Sequence, residues 1–142
     1  MSEKIPFQPD LSVKPEVFAF YDQDTNTFSY IVKDPDSSSC AIMDSVMNLD
    51  YPSCTTSFEG ADEIIDHVRK HDLKVEWIIE THAHADHLSA APYIQEKLGG
   101  KLGIGEKIIQ VQEVFGKLFN AGTDFERDGS QFDRLFKDGD SY

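Results

Sequence analysis

Hydrophobic positions change their spacing near residue 60, and that change predicts the elements. Before it, short β-type runs dominate: a first strand near Val17-Phe18-Ala19-Phe20, then Phe28-Ser29-Tyr30-Ile31-Val32 and Cys40-Ala41-Ile42-Met43. The last two are separated by the polar turn Asp34-Pro35-Asp36-Ser37-Ser38 and predict a hairpin. Residues 1 to 15 carry Pro6, Pro9 and Pro15 and read as an extended arm. Between residues 46 and 58 the periodicity lapses, and Pro52 among several Ser and Thr residues predicts an irregular connection.

From Gly60 to His71 the spacing becomes helical, with Ala61, Ile64, Ile65 and Val68 at i, i+3, i+4 and i+7. His67 and His71 lie on the more polar flank of that stripe and are expected to be solvated, since no Glu base sits between them. Residues 75 to 80 are apolar at nearly every central position, which predicts a strand buried on both faces within a helix-covered sheet. Ser89 can cap a following helix that has Pro92 in its first turn, Ala91, Ile94 and Leu98 on one face, and Gly99-Gly100 as its stop. A short strand, 101 to 104, then leads to a helix over 106 to 119 striped by Ile108, Val111, Phe115, Leu118 and Phe119. From Asn120 onward the chain is polar, with six acidic and three basic residues, and it closes on a turn at Lys137-Asp138-Gly139-Asp140 leading into a strand barely begun. No repeat or low-complexity tract interrupts this order.

Composition narrows the classes. With 142 residues, 39% of them hydrophobic, the chain suffices for one core but not for two ordinary domains. A formal charge of −13 argues against nucleic acid and against anionic membrane surfaces as partners. The opening residues, Met1 to Pro6, show no signal-peptide pattern, so a cytoplasmic location is the expectation. Cys40 and Cys54 lack the spacing of a redox or zinc motif and are read as buried or partly buried thiols, neither ligands nor a disulfide.

The chemistry gathers in Thr81-His82-Ala83-His84-Ala85-Asp86-His87, three imidazoles and a carboxylate between a buried strand and a helix. Imidazole and carboxylate are the usual ligands of zinc and non-haem iron. In an extended segment His82 and His84 leave the same side of the backbone and can converge on one ion. Asp86 and His87 are adjacent and diverge, so they suit a neighbouring ion or the support of the first one, and Asp86 can orient a metal-bound water. Ionisable groups packed this densely are costly to hold without a partner.

This stretch matches the HxHxDH signature of the metallo-beta-lactamase superfamily. Thr27 to Tyr30, Ser39 to Ser45, Glu80 to Ala91 and Lys97 to Gln110 further resemble its persulfide dioxygenase branch, together with bacterial beta-lactamase-like hydrolases. The resemblance implies an α/β (α+β) fold, the N-terminal half of an αββα sandwich, mostly one mixed sheet flanked by helices. It implies oxidation of a thiol-derived persulfide, such as glutathione persulfide, at a single ferrous iron held by two histidines and an aspartate. His82 would be the iron ligand in this chain, with His84, Asp86 and His87 around it. In the dinuclear relatives, His82 and His84 would hold one zinc and Asp86 and His87 a second. Asp44 resembles a recurrent family aspartate with a hydrogen-bonding role.

No histidine follows His87, whereas the family draws a later histidine and a bridging aspartate from further along the chain. Gly139-Asp140 imitates the aspartate's dipeptide but reads as a turn. Residues 1 to 142 are therefore expected to form a partial domain lacking its C-terminal half, with one sheet face unmatched and prone to association. Three activities follow as alternatives: a persulfide dioxygenase, a glyoxalase II-like thioester hydrolase with two metals, or a catalytically silent chain that acts by binding. A homo-oligomer is compatible with each.

Overall fold

The computed structural model describes residues 10–142, so Pro6, Pro9 and most of the predicted arm lie outside the described residues. In chain order the elements are β1 (Glu16–Asp22), β2 (Thr27–Lys33), β3 (Ser39–Met43), β4 (Val46–Asp50), β5 (Thr55–Ser57), α1 (Glu59–Lys70), β6 (Lys74–Ile79), β7 (Leu88–Ser89), α2 (Ala91–Leu98), β8 (Lys101–Gly105), α3 (Ile108–Leu118) and β9 (Arg134–Phe136). The main sheet is mixed, in the order β1-β2-β3-β6-β8-β9. Its first three strands form an antiparallel meander. The remaining pairings, β3 with β6, β6 with β8 and β8 with β9, are parallel.

Helices cover one face of this sheet. Ile31, Cys40, Ile42, Val75, Ile78 and Leu102 point to that side and pack with Ala61, Ile64, Ile65 and Val68 of α1 and Ala91 and Ile94 of α2. Ile31, Ile42, Ile64, Ile78 and Ile94 are all but fully buried, and each contributes about 1.5–3 kcal/mol relative to exposure. The predicted α1 stripe is thus the stripe that is buried. An amide of the first turn of α1, Gly60 N–H, donates to Asn48 Oδ1 at 3.1 Å, and Glu59 and Asp62 place negative charge there.

Among the described residues the opposite face carries no helix, and here the expectation for residues 75 to 80 needs correction. Trp77 is half-buried beneath Phe136 and Tyr142 and not beneath a helix, with ring centroids 5.2 and 5.8 Å away. Further along the same face, Val17, Tyr21, Phe28 and Tyr30 are between 36% and 55% exposed. Tyr21 stands over Phe28 and Phe28 over Tyr30, at 4.9 and 6.1 Å. Helices on one side and an apolar opposite side make the sheet half of an αββα sandwich.

Further expectations fail as well. Residues 46 to 58 are not irregular: β4 pairs with β5 and β7 in a small second sheet, with Asn48 opposite Ser57 and Val46 opposite Ser89. The pairing that stabilises it comes from β7, some 40 residues later, so no local periodicity announces it. The polar tail likewise supplies β9, whose Leu135 pairs with Ile104.

In α3 only the start of the predicted stripe lies inward, with Val111 half-buried. Ile108, Gln112 and Gly116 are buried, whereas Phe115, Leu118 and Phe119 are 48%, 69% and 72% exposed. Polar partners pull the other face inward: Gln112 accepts from Gly129 N–H at 3.0 Å and donates to Gln131 at 2.8 Å, and Arg127 donates to the Gly116 and Ala121 carbonyls.

His67 is not solvated. Its ring lies 4.5 Å from Phe18 and 5.6 Å from Phe20, and its buried Nε2 has no hydrogen-bond partner. Desolvation lowers its pKa, with His71 and Lys70 adding repulsion. His71 is exposed, as expected.

Both cysteines are free thiols, but Cys54 is exposed and not buried. Burial, aided by the charge of Glu76, pushes the Cys40 thiol up to about 11. No described helix is long and apolar enough to cross a membrane.

Candidate metal centre

The parallel strands β3 and β6 end side by side, with Met43 opposite Ile79, and their C-terminal ends deliver Asp44 and Glu80 to the same edge. This is the edge where open parallel sheets place their ligands. Asp44 turns sharply, with a φ of 51°, in the left-handed region that Asp tolerates better than most residues. Its backbone N–H donates to the Ile79 carbonyl at 3.0 Å, and its side chain reaches across to the histidine loop. Thr81 donates its N–H to Asp44 Oδ1 at 2.8 Å and its O–H to Oδ2 at 2.7 Å. The aspartate therefore ties the beginning of the motif to β3, in agreement with the hydrogen-bonding role expected of it.

The three imidazoles are in contact, His87 stacked on His84 and His82 tilted against it. Ring centroids of His82 and His84 are 4.3 Å apart and those of His84 and His87 are 4.2 Å apart. His84 is the buried member, its side chain 6% exposed. His82 and Asp86 are exposed and His87 is half-buried. Ligand atoms of Asp44, His82 and His84 lie within 4.8 Å of one another, as do those of His84, Asp86 and His87. All four predicted residues, His82, His84, Asp86 and His87, thus converge around His84.

Hydrogen bonding decides which ring nitrogens remain free. Thr81 has one hydroxyl proton and gives it to Asp44, so its oxygen accepts from His82 Nδ1–H at 2.8 Å. That leaves the His82 Nε2 lone pair open. His87 Nδ1–H donates to the Leu88 carbonyl at 2.9 Å, again freeing Nε2. His84 Nε2 faces two acceptors, Glu80 Oε2 at 2.8 Å and Asp44 Oδ1 at 3.0 Å, so in the neutral ring it carries the proton. The remaining nitrogen, Nδ1, is 3.9 Å from Asp86 Oδ1. The hydrogen bond with Glu80 holds the His84 pKa above its ordinary value. Burial works against that rise, and the charges of Glu80 and Asp44 add to it.

Three imidazole lone pairs and a free carboxylate form a donor set suited to a divalent transition ion. Each histidine has its second nitrogen held by an oxygen, the arrangement that fixes ring orientation at metal sites. The residues present therefore fit metal binding, with His82 and His84 in one group of ligand atoms and His84, Asp86 and His87 in the other.

A cleft of about 200 Å³ opens beside His84 and Asp86. Met47, Leu49 and Tyr51 of the β4 segment form one wall, and Asp22, Asp24 and Thr25 of the β1–β2 turn form another. Sequence reading assigned neither wall to the site, because both reach it only through tertiary packing. A larger cavity of about 660 Å³ lies against Trp77, Lys101 and Arg134, and no histidine lines it, so the smaller cleft is the one that adjoins the candidate ligands. Gly139-Asp140 plays no part: Asp140 accepts from Lys137 N–H and from Arg134, at 2.9 and 3.2 Å, closing a turn after β9. Glu80 was also missed, although a carboxylate ending an apolar strand is a signal in its own right.

Residues 23–140 match the family described as the metallo-beta-lactamase superfamily. A probable metallo-hydrolase of Burkholderia pseudomallei is 50% identical over 125 residues, which cover 88% of this chain and 42% of that protein. Glyoxylase B2 of Dictyostelium discoideum is 38% identical over 133 residues, covering 93% of this chain and 46% of that protein. Among the curated relatives it matches, the chain spans between 30% and 46% of their length. The crystal structure of ETHE1 from Myxococcus xanthus superimposes with a TM-score of 0.51 at 22% identity, over 62% of this chain and 34% of that one.

Proposed function

The chain belongs to the metallo-beta-lactamase superfamily, and from that premise we propose that its histidine cluster is the metal-holding edge of a sulfur-oxidising centre, of the persulfide dioxygenase type. The observation that carries the reading is the hydrogen-bond pattern above. It leaves His82 Nε2, His84 Nδ1 and His87 Nε2 unprotonated, with His84 and His87 lining one cleft beside Asp86 and the His82 ring 4.3 Å from that of His84. The resemblance of Glu80 to Ala91 and Lys97 to Gln110 to the persulfide dioxygenase branch supports ferrous iron, with His82 as its ligand. A bound ion would supply Lewis acidity and an open position for a sulfur anion.

The chain's own residues orient the rings, through Thr81 on His82, Glu80 on His84 and the Leu88 carbonyl on His87. Asp86, half-exposed at the cleft, accepts a proton from a bound water or thiol. Met47, Leu49 and Tyr51 offer an apolar wall to a thiol-bearing small molecule such as glutathione persulfide.

A second reading, thioester hydrolysis with two zinc ions, is supported by a separate observation. His82 falls with His84 in one cluster and Asp86 with His87 in another, the division that two neighbouring ions would use. Similarity to a protein named Glyoxylase B2 points the same way.

Metal titration followed by two assays separates these readings. One iron per chain with persulfide-dependent oxygen uptake supports the first. Two zinc ions with thioester cleavage and no oxygen use supports the second. Absence of stoichiometric binding by iron, zinc or cobalt refutes both and leaves a silent chain. His82→Ala is expected to abolish tight binding in either case.

A further inference from the structure

Glu80 is an unusual residue for its place. It follows the central strand β6 directly and is 5% exposed, in a chain whose formal charge is −13. A carboxylate at that depth requires partners, and it has two, Ser89 and His84. Its backbone N–H donates to the Gly103 carbonyl at 3.0 Å, which fixes it to β8. Oε1 accepts the hydroxyl proton of Ser89. Ser89 Oγ accepts Ala91 N–H at 3.0 Å, so the same residue anchors the first turn of α2. That leaves Oε2, 2.8 Å from His84 Nε2.

Asp44 competes for that nitrogen, at 3.0 Å. However, each Asp44 oxygen already takes a proton from Thr81, and its side chain is 16% exposed against 6% for Glu80. The single Nε2–H therefore finds its shorter, more deeply buried and less committed acceptor in Glu80.

We propose that Glu80 is the positioning residue that fixes His84 as the Nε2–H tautomer and so turns Nδ1 towards the metal. This rests on the reading of His84 as a metal ligand given above. Glu80 also couples the ring to the first turn of α2 through Ser89, so the histidine sits at a fixed distance from a packed helix although it lies on a loop. Backing of this kind typically changes metal affinity by about 10–100-fold when removed.

The test uses the 142-residue chain with uniform ¹⁵N labelling and cobalt(II) as the probe metal. Imidazole nitrogen shifts of the metal-free chain, recorded above the pH at which His84 titrates, should show His84 protonated at Nε2. In Glu80→Leu the tautomer becomes mixed, while His82 and His87 are unchanged. Cobalt affinity falls by about 10–100-fold. Glu80→Gln keeps an acceptor oxygen, so it retains the tautomer and loses less affinity. If the Leu variant fails to fold, Asp44→Asn decides: the tautomer persists if Glu80 sets it and is lost if Asp44 does.

A wild-type His84 protonated at Nδ1 overturns the proposal. So does retention of both tautomer and affinity in Glu80→Leu, or loss of the tautomer in Asp44→Asn but not in Glu80→Leu. A wild-type chain that binds no cobalt refutes the metal reading instead, and the nitrogen shifts still decide the role of Glu80.

Discussion

Asp44 offers a way to separate backbone strain from hydrogen bonding at the centre of the fold. It holds a φ of 51° and accepts two bonds from Thr81, at 2.8 and 2.7 Å. Hydrogen bonds to a charged group are worth about 1.5–3 kcal/mol each. Thr81 is exposed and can turn to water, so the lower end applies and the pair contributes about 3 kcal/mol. Asp44→Ala loses both bonds and keeps an L-residue in the left-handed region, which costs about 1–2 kcal/mol. Asp44→Gly loses the same bonds and removes that strain, at an entropic cost of about 0.5–1 kcal/mol. The Gly variant should therefore be the more stable of the two by about 0.5–1 kcal/mol. Asp44→Asn tolerates the conformation and retains one acceptor, so it should lose least, about 1–2 kcal/mol. Urea denaturation followed by the fluorescence of the single tryptophan, Trp77, reads the series. If the Ala variant equals or exceeds the Gly variant at constant m-value, the strained backbone is not what the site is holding.

The two perturbed histidines should give opposite pH dependence. The raised pKa of His84 adds stability that is fully present below about 6.5, the unfolded value, and is lost as pH rises through the raised value. The lowered pKa of His67 adds stability that is fully present above about 6.5 and is lost as pH falls through the lowered value. Urea midpoints measured against pH should lose the first trend in His84→Ala and the second in His67→Leu. Cobalt affinity should weaken as pH falls below the raised His84 value, because ion and proton compete for the ring. On α3, Phe115→Ser should change stability by less than about 0.5 kcal/mol, since that side chain is half-exposed. Gly116→Ala should cost about 1–3 kcal/mol, because its Cβ would lie 2.5 Å from Arg127 Nε and 2.8 Å from its Cζ. The reverse ranking in thermal melts would contradict this orientation of the helix.

What the sequence determined by itself was whatever depends on near neighbours. The α1 stripe Ala61, Ile64, Ile65 and Val68 is buried as its spacing predicts, because i, i+3 and i+4 positions share a face whatever lies opposite. The run Val75 to Ile79 could only be a central strand, and the histidine motif that follows could only sit at its C-terminal edge.

Tertiary structure decided the rest. Asp44 reaches Thr81 across 37 residues, and Ser89 pairs with Val46 to make a sheet where local pattern shows none. The later part of the apolar stripe of α3 faces outward because Gln112 and Gly116 find partners in the 127–131 segment, a choice that no helical wheel contains. The candidate ligand residues stand in six consecutive positions and were legible as candidates from the sequence. Which nitrogen of each ring is free was not, because that depends on where one hydroxyl proton, two carboxylates and one carbonyl are brought by the packing of β3 against β6 and of α2 against both.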